Sequence, residues 1–223
     1  MTGVQTCALP ISVYWSVSIS SSGVANLYWY DGAGKTATGS TTLALNTWYH
    51  LAFVVTAGVV KIYVNGVAET LTGTTTLTSP NATSGNIVIG VDRANYYQGY
   101  ISDLRAVRGI ALYTSNFFPP TSPAIPNLTY TNSNYLNGNV ITVNASSNVT
   151  ANSVIQSSLL LSGSNGGIID QGRNINIQSV GTTYVTSANV PYSGISGLSS
   201  VYFNGTSGYL VTLGSTPANQ ETA

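Results

Sequence analysis

Only 5% of the 223 residues are Asp, Glu, Lys or Arg, against about 25% in an ordinary globular chain. The six bases and six acids cancel, which argues against a nucleic-acid footprint and against a polybasic face for an anionic membrane. No run approaches the roughly 18 to 20 apolar residues that a membrane-inserted helix needs, and the length suits one large all-β domain or one and a half ordinary ones.

The first eleven residues, Met-Thr-Gly-Val-Gln-Thr-Cys-Ala-Leu-Pro-Ile, lack the basic start and the apolar stretch of a secretory leader. They resemble the conceptual translation of a common sequencing-library adapter. On that expectation residues 1–11 are an artefact, the only cysteine, Cys7, does not belong to the natural protein, and the gene is truncated at its 5′ end. Without cysteine there are no disulfides from which to infer a redox compartment.

Strands are expected over 13–19, 26–30 and 40–45, with Asp31-Gly32-Ala33-Gly34 as the turn between the last two. The strongest pattern follows. Two β-branched and aromatic runs, Trp48–Thr56 and Val59–Val64, are separated by a glycine-containing break and closed by Asn65-Gly66, the strongest short hairpin signal. In the first run Leu51, Phe53 and Val55 share one face and His50, Ala52 and Val54 the other. Both faces are apolar, which suits a strand buried between two layers.

The chain returns through 67–71 and crosses a polar loop over 72–84. Strands are expected over 86–91 and 99–107, the second with Asp103 and Arg105 on one face, where they can pair. Residues 111–118 read as an irregular or helical turn, and Pro119-Pro120 opens a linker. After an Asn/Ser/Thr-rich stretch of weak strands or connector over 127–157, a firm pattern resumes at Leu159-Leu160-Leu161. It continues through 168–169, 174–180, 184–187, 199–204 and 209–213, with Asn204-Gly205 as a second hairpin-type turn. No helix of useful length is visible.

Four blocks now carry a resemblance. Asn46-Thr47-Trp48-Tyr49-His50-Leu51-Ala52, Ile62-Tyr63-Val64-Asn65-Gly66, Ile87-Val88-Ile89-Gly90 and Gly99-Tyr100-Ile101-Ser102-Asp103-Leu104-Arg105 resemble, in order and spacing, the laminin-G-like domain of the concanavalin A-like lectin/glucanase superfamily. Ser102 stands where an acid is often found, and residues 109–120 resemble the variant common in phage and environmental proteins. Residues 158–213 resemble the beginning of the same kind of domain. The implied fold is an all-β, antiparallel jelly-roll β-sandwich. The division is the C-terminal part of one sandwich over 12–120, a connector over 121–157 and the N-terminal part of a second over 158–223. These parts supply complementary strands, so their pairing in cis would complete a circularly permuted sandwich and cover otherwise open edges.

Glucanases of this shape are expected to carry catalytic carboxylates at i, i+2 and i+4 of one strand. The acids here are Asp31, Glu69, Asp92, Asp103, Asp170 and Glu221, and no two are so spaced. No catalytic residue is assigned and no enzymatic activity is expected. His50, the only histidine, excludes a multi-His metal site and reads as a satisfied sandwich histidine. The resemblance implies calcium as the possible cofactor, with Asp92 and Asp170 as weak metal candidates, although a turn aspartate capping its own backbone explains each as well.

Sugar recognition combines aromatic faces with amide, carboxylate or guanidinium partners for hydroxyls. The loop after the 86–91 strand holds that set in Asp92, Arg93, Asn95, Tyr96 and Tyr97, the predicted ligand-binding residues. Trp15, Tyr28, Trp29 and Tyr30 form a second aromatic cluster that core and rim packing would explain equally. The Asn-x-Ser/Thr triplets at Asn81, Asn127, Asn144 and Asn204 are expected by chance in this composition.

The expected role is a non-catalytic binding module for a carbohydrate or host cell surface, in a virion tail or fibre or a bacterial surface adhesin. Its localisation would then be the virion or the cell surface, with neighbouring repeats of the same polypeptide as further partners. The alternative is a structural spacer without a ligand, and the third reading is a glycoside hydrolase.

Overall fold

The computed structural model describes residues 3–5, 15–77, 86–92, 94–107, 111–121, 127–128, 130–131, 141–142, 155–156, 159–164, 167–170, 176–192 and 198–213. The first half holds β1 (Gly3–Gln5), β2 (Trp15–Ile19), β3 (Val24–Tyr30), β4 (Gly34–Thr42), β5 (Trp48–Thr56), β6 (Val59–Val64), β7 (Val67–Ala68) and β8 (Thr72–Gly73). The expected 40–45 strand thus lies earlier, as β4, and the expected 72–84 loop begins with β8. Strands β2, β3, β4 and β8 form one antiparallel sheet.

The hairpin β5–β6 forms as its sequence demands. It is in register from Leu51 opposite Val64 to Thr56 opposite Val59. At its far end Asn65 (φ 49°) and Gly66 (φ 80°) both take positive φ, the conformation that gives Asn-Gly its hairpin preference, and they lead into β7 with Val64 opposite Val67. Leu51, Val60, Ile62 and Val64 point inward onto Val17, Leu27, Trp29 and Ala37 of the four-stranded sheet. Trp29 and Ile62 are fully buried at 0% exposure.

Next come β9 (Val88–Ile89), β10 (Val91–Asp92), β11 (Asn95–Tyr96), β12 (Gln98–Ile101) and β13 (Leu104–Ala106). The strand expected over 86–91 is interrupted at Gly90, whose φ of 94° an extended L-residue does not adopt. A side chain there would collide with the Phe203 ring. The strand expected over 99–107 likewise divides at Ser102-Asp103, where Asp103 takes φ 50°. This break moves the chain from one sheet to another: β12 pairs with β22 (Ser200–Asn204) and β13 with β18 (Leu159–Ser164). Asp103 and Arg105 therefore do not sit as i, i+2 neighbours of one strand.

Short pairs join β14 (Asn127–Leu128) to β17 (Ile155–Gln156) and β15 (Tyr130–Thr131) to β16 (Ile141–Thr142). Beyond them are β19 (Gly167–Asp170), β20 (Asn176–Val180), β21 (Thr183–Thr186) and β23 (Tyr209–Leu213). The largest sheet has seven strands in the order β21-β22-β12-β1-β5-β6-β7. β1 lies parallel to both β5 and β12, with Gly3 opposite Trp48 on one side and Tyr100 on the other.

The expected completion of the sandwich by its C-terminal strands is present in three antiparallel ladders, β12 with β22, β13 with β18 and β9 with β23. Their inner residues make a second core from Ile89, Ile101 and Leu104 of the first half and Leu159, Leu161, Val201, Phe203 and Leu210 of the second. Asn204-Gly205 is not a hairpin turn. It carries the chain from β22 in the large sheet to β23, which pairs with β20 and β9. The Asn204 Oδ1 accepts from the amides of Thr206, Ser207 and Gly208 at 2.9–3.1 Å, a side-chain-closed turn that needs no strand pairing. Among the described residues there is no helix, hence none long and apolar enough to cross a membrane.

Residues 111–121 are irregular and lie over the outer face of β5–β6. The Phe117 amide donates to the Gly66 carbonyl at 2.9 Å, the Ala68 amide to Asn116 Oδ1 at 2.9 Å, and Lys61 Nζ to the Thr114 carbonyl at 2.7 Å. Beneath them Ala52, Val54, Tyr63 and Tyr113 form a third buried cluster with Phe117 against it. Both faces of the central hairpin are covered, as its double apolar pattern predicts.

Candidate functional site

The predicted loop is a small hairpin, with Val91 opposite Tyr96 and Asp92 opposite Asn95. It brings Asp92, Asn95 and Tyr96 together, and Tyr96 is 36% exposed. Arg93 lies outside the described residues. Tyr97 points the other way: its ring meets Phe203 edge-on, with centroids 6.1 Å apart, and its hydroxyl donates to the Tyr100 carbonyl at 3.4 Å. Burial pushes its phenol well above the usual range, so Tyr97 supports the hairpin from beneath. The second aromatic cluster also divides. Trp29 is in the first core, Trp15 opposite it is a rim residue at 39% exposure, and Tyr28 packs against Gly34 on the other face.

A cleft of about 450 Å³ opens elsewhere, on the outer face of the seven-stranded sheet. Its floor is Trp48, Tyr49 and His50 of β5 with Asn65 of the adjoining turn, and its walls are Pro119–Thr121 and Pro191–Tyr192. Trp48 is fixed by its indole Nε1, which donates to Asn189 Oδ1 at 3.0 Å. The neighbouring backbone is fixed too: the His50 amide donates to Asn65 Oδ1 at 2.9 Å, and the Asn65 amide to the His50 carbonyl at 2.8 Å. These ties hold the site rigid before any ligand arrives, which lowers the ordering cost of binding.

His50 is packed as expected of a sandwich residue, edge-on to Tyr113 and Phe117 with centroids at 5.9 and 5.4 Å. Its pKa falls to about 4 because burial disfavours the charged ring, so the imidazole is neutral at ordinary pH. It is not satisfied, however: Nδ1 is buried without a hydrogen-bond partner. A buried polar atom left bare is costly and calls for explanation. The ring forms part of the cleft floor, but Nδ1 itself has no accessible surface, so a ligand in the cleft does not reach it.

The same face continues sideways as a row of tyrosines. Tyr184, Tyr202 and Tyr100 are directly opposite one another across β21, β22 and β12. Their ring centroids are 4.8 Å apart between Tyr184 and Tyr202, and 5.1 Å between Tyr202 and Tyr100. Sequence reading missed this site because its members are spread from Trp48 to Tyr202, and tyrosine is too common in the chain to stand out. The available signal was local: in Val201-Tyr202-Phe203 and Gly99-Tyr100-Ile101 the tyrosine alternates out of phase with core residues.

The described acids are committed in separate places. Asp31 pairs with Lys35 at 2.7 Å, and Asp92 Oδ2 accepts from the Ser16 hydroxyl at 3.5 Å. Burial acts to raise the Glu69 pKa, but hydrogen bonds from Thr41 and Ser40 outweigh it and hold the carboxyl below its usual value. The Arg105 pKa is lowered by burial, against the opposing influence of Tyr113 and Asp103. No group of three His, Cys, Asp or Glu side chains is assembled among the described residues. Of the six to eight oxygens typical of a calcium shell, the described residues at Asp92 bring one carboxylate and the Ser16 hydroxyl. Asp170 falls in β19, but its side chain lies outside the described residues.

A laminin-G family model, described as Concanavalin A-like lectin/glucanases superfamily, matches residues 6–111. No curated protein and no solved structure matches the chain.

Proposed function

Residues 6–111 are a laminin-G-like domain of the concanavalin A-like lectin/glucanase superfamily, and from that premise we propose that the protein is a non-catalytic carbohydrate-binding module. The observation that carries this reading is the outer-face cleft. It joins the aromatic surfaces of Trp48 and Tyr192 to the amide of Asn65 and the hydroxyl of Thr121, with the imidazole of His50 in its floor. That is the combination a sugar needs, apolar ring faces packed on aromatics and hydroxyls met by neutral polar groups. Among the described residues no carboxylate lines the cleft, which supports binding without hydrolysis, since glycoside hydrolysis ordinarily requires a pair.

The hairpin of Asp92, Asn95 and Tyr96 is the second reading, supported by the exposed Tyr96 ring beside two hydrogen-bonding side chains. A position on a virion tail or fibre, or in a surface adhesin, accords with a chain that achieves solubility through hydroxyls and amides, and its partner would be a host or neighbouring cell-surface glycan.

The test is equilibrium binding of the full chain to a panel of immobilised neutral and acidic oligosaccharides, beside Trp48→Ala and Tyr96→Ala. Binding that falls about tenfold or more in Trp48→Ala, a change of about 1.4 kcal/mol or more, and persists in Tyr96→Ala supports the cleft. Loss in Tyr96→Ala alone transfers the site to the hairpin. A folded protein that binds no saccharide leaves the structural-spacer role instead.

A further inference from the structure

We propose that residues 158–213 form an exchangeable module, so that the C-terminal half of one copy of this chain completes the N-terminal half of another, and each outer-face cleft of that assembly is built by two copies. The partner is thus a second copy of the chain. This stands apart from the carbohydrate reading, since it concerns which chains build the cleft and not what fills it.

The cores divide the molecule unequally. Among the described residues, the first core, from Val17 to Val64, belongs wholly to the first half, as does the cluster of Ala52, Val54, Tyr63 and Tyr113. The second core is shared: Ile89, Ile101 and Leu104 close on Leu159, Leu161, Val201, Phe203 and Leu210. Departure of the C-terminal half opens this core and leaves the other two clusters packed, as expected of a unit that opens at less than the global unfolding free energy. The departing half keeps ladders of its own, β18 with β19, β20 with β23 and β21 with β22.

What the opening bares is specific for the same partner. Strands β9, β12 and β13 lose β23, β22 and β18, and unpaired strands beside an apolar face recruit others. Their seats are shaped. A Cβ at Gly90 would come within 2.4 Å of the Phe203 ring. The Ile87 amide donates to Thr212 Oγ1 at 2.9 Å and the Thr212 amide to the Ile87 carbonyl at 3.0 Å, while the Ser102 hydroxyl donates to the Ser199 carbonyl at 3.3 Å. Another copy's second half carries the same residues, so exchange restores each of these contacts and alters only the path between the halves. Domain exchange has little energetic cost for this reason. Reciprocal exchange closes a dimer, and one-way exchange extends a row of copies.

The cleft is where the exchange reaches a site. Its floor and the Pro119–Thr121 wall come from the first half, and the Pro191–Tyr192 wall from the second. Trp48 Nε1 is held by Asn189 Oδ1 at 3.0 Å, and Ser200 Oγ in turn donates to the Asn189 carbonyl at 2.5 Å. Floor and far wall therefore belong to different copies in the exchanged assembly.

The experiment is refolding of the full chain from denaturant at about 1 µM and about 1 mM, with half of the chains isotope-labelled, followed by native mass spectrometry. A tethered partner competes at an effective concentration on the order of 1 mM, so monomer should dominate the dilute sample and mixed dimers should become a major species in the concentrated one. Labelled and unlabelled chains mixed after folding should form such dimers far more slowly. Two variants identify the contact: Leu104→Asp spoils the shared core from the first half and Phe203→Asp from the second. Refolded together they should give a heterodimer about tenfold or more above either homodimer, because one of its two units joins intact halves; where neither variant refolds, the unsubstituted chain decides. Monomer at both concentrations overturns the proposal, as does a heterodimer no more abundant than the homodimers of refolded variants. Mixed dimers that form as fast without unfolding also overturn it, by showing a surface contact in place of exchange.

Discussion

The two faces of the seven-stranded sheet use the same strands for opposite purposes. Inward, Leu51, Ile62, Ile101, Val201 and Phe203 enter two buried cores. Outward, one residue along each strand, Trp48, Tyr100 and Tyr202 carry aromatic rings, while Tyr63 is buried beneath residues 111–121. Period-two alternation thus sends neighbouring residues of one strand to opposite faces of the sheet. The difference is also one of charge and hydration: the inner face is dry and aliphatic, whereas the outer face is neutral but rich in hydroxyl and amide groups.

That division predicts how substitutions should separate. Phe203→Ala should have the largest effect, about 3–5 kcal/mol of lost stability in chemical denaturation, since Phe203 is fully buried and packs between Ile89, Leu210 and the Gly90 bend. Its outward neighbour Tyr202→Ala should cost far less. Comparable losses for the two would break the distinction.

Acid should act next, through the outer face. The folded His50 pKa is about 4, below the ordinary histidine value of 6.5, because burial disfavours the imidazolium. The unfolded chain therefore takes up a proton first as pH falls below 6.5, and stability declines between there and about pH 4. The full effect is on the order of 3 kcal/mol. His50→Gln should remove most of this slope in pH-dependent melting. A slope unchanged by the substitution would show that His50 is not buried as described.

Gly66→Ala comes third. It places a side chain at φ 80° against the Phe117 carbonyl, a strain of about 1–3 kcal/mol. The added methyl should displace residues 111–121 from the sheet, so the His50 pKa should move back toward 6.5 in the same variant. Tyr184→Ala should be smallest, within about 0.5 kcal/mol in stability, because Tyr184 is 49% exposed on the edge strand β21.

Much of the fold was legible because its strongest signals are local. Trp48–Thr56, Val59–Val64 and Asn65-Gly66 fall where their alternation and turn chemistry put them. The breaks at Gly90 and Asp103 were not legible, since each depends on what the chain meets afterwards: Phe203 in one case and a change of sheet in the other. Asn204-Gly205 carried the right turn residues but joins strands of different sheets, a distinction no local pattern encodes. The site divides in the same way. Asp92, Asn95, Tyr96 and Tyr97 lie together in sequence, yet Tyr97 turns inward. The cleft and the tyrosine row draw on residues from Trp48 to Tyr202 that only strand pairing brings together, and His50 was read as core without the cleft beside it.

The central claim, that a neutral sugar binds at the outer-face cleft, is tested most directly at His50. As the only histidine in the chain, it gives a single imidazole signature in nitrogen-15 NMR. Titration with the neutral oligosaccharide that binds should shift the His50 ring nitrogens, and the shift should saturate with the dissociation constant found by calorimetry. Saturating binding that leaves the imidazole unmoved while the Asn95 and Tyr96 amides shift would contradict the account and place the ligand on the hairpin.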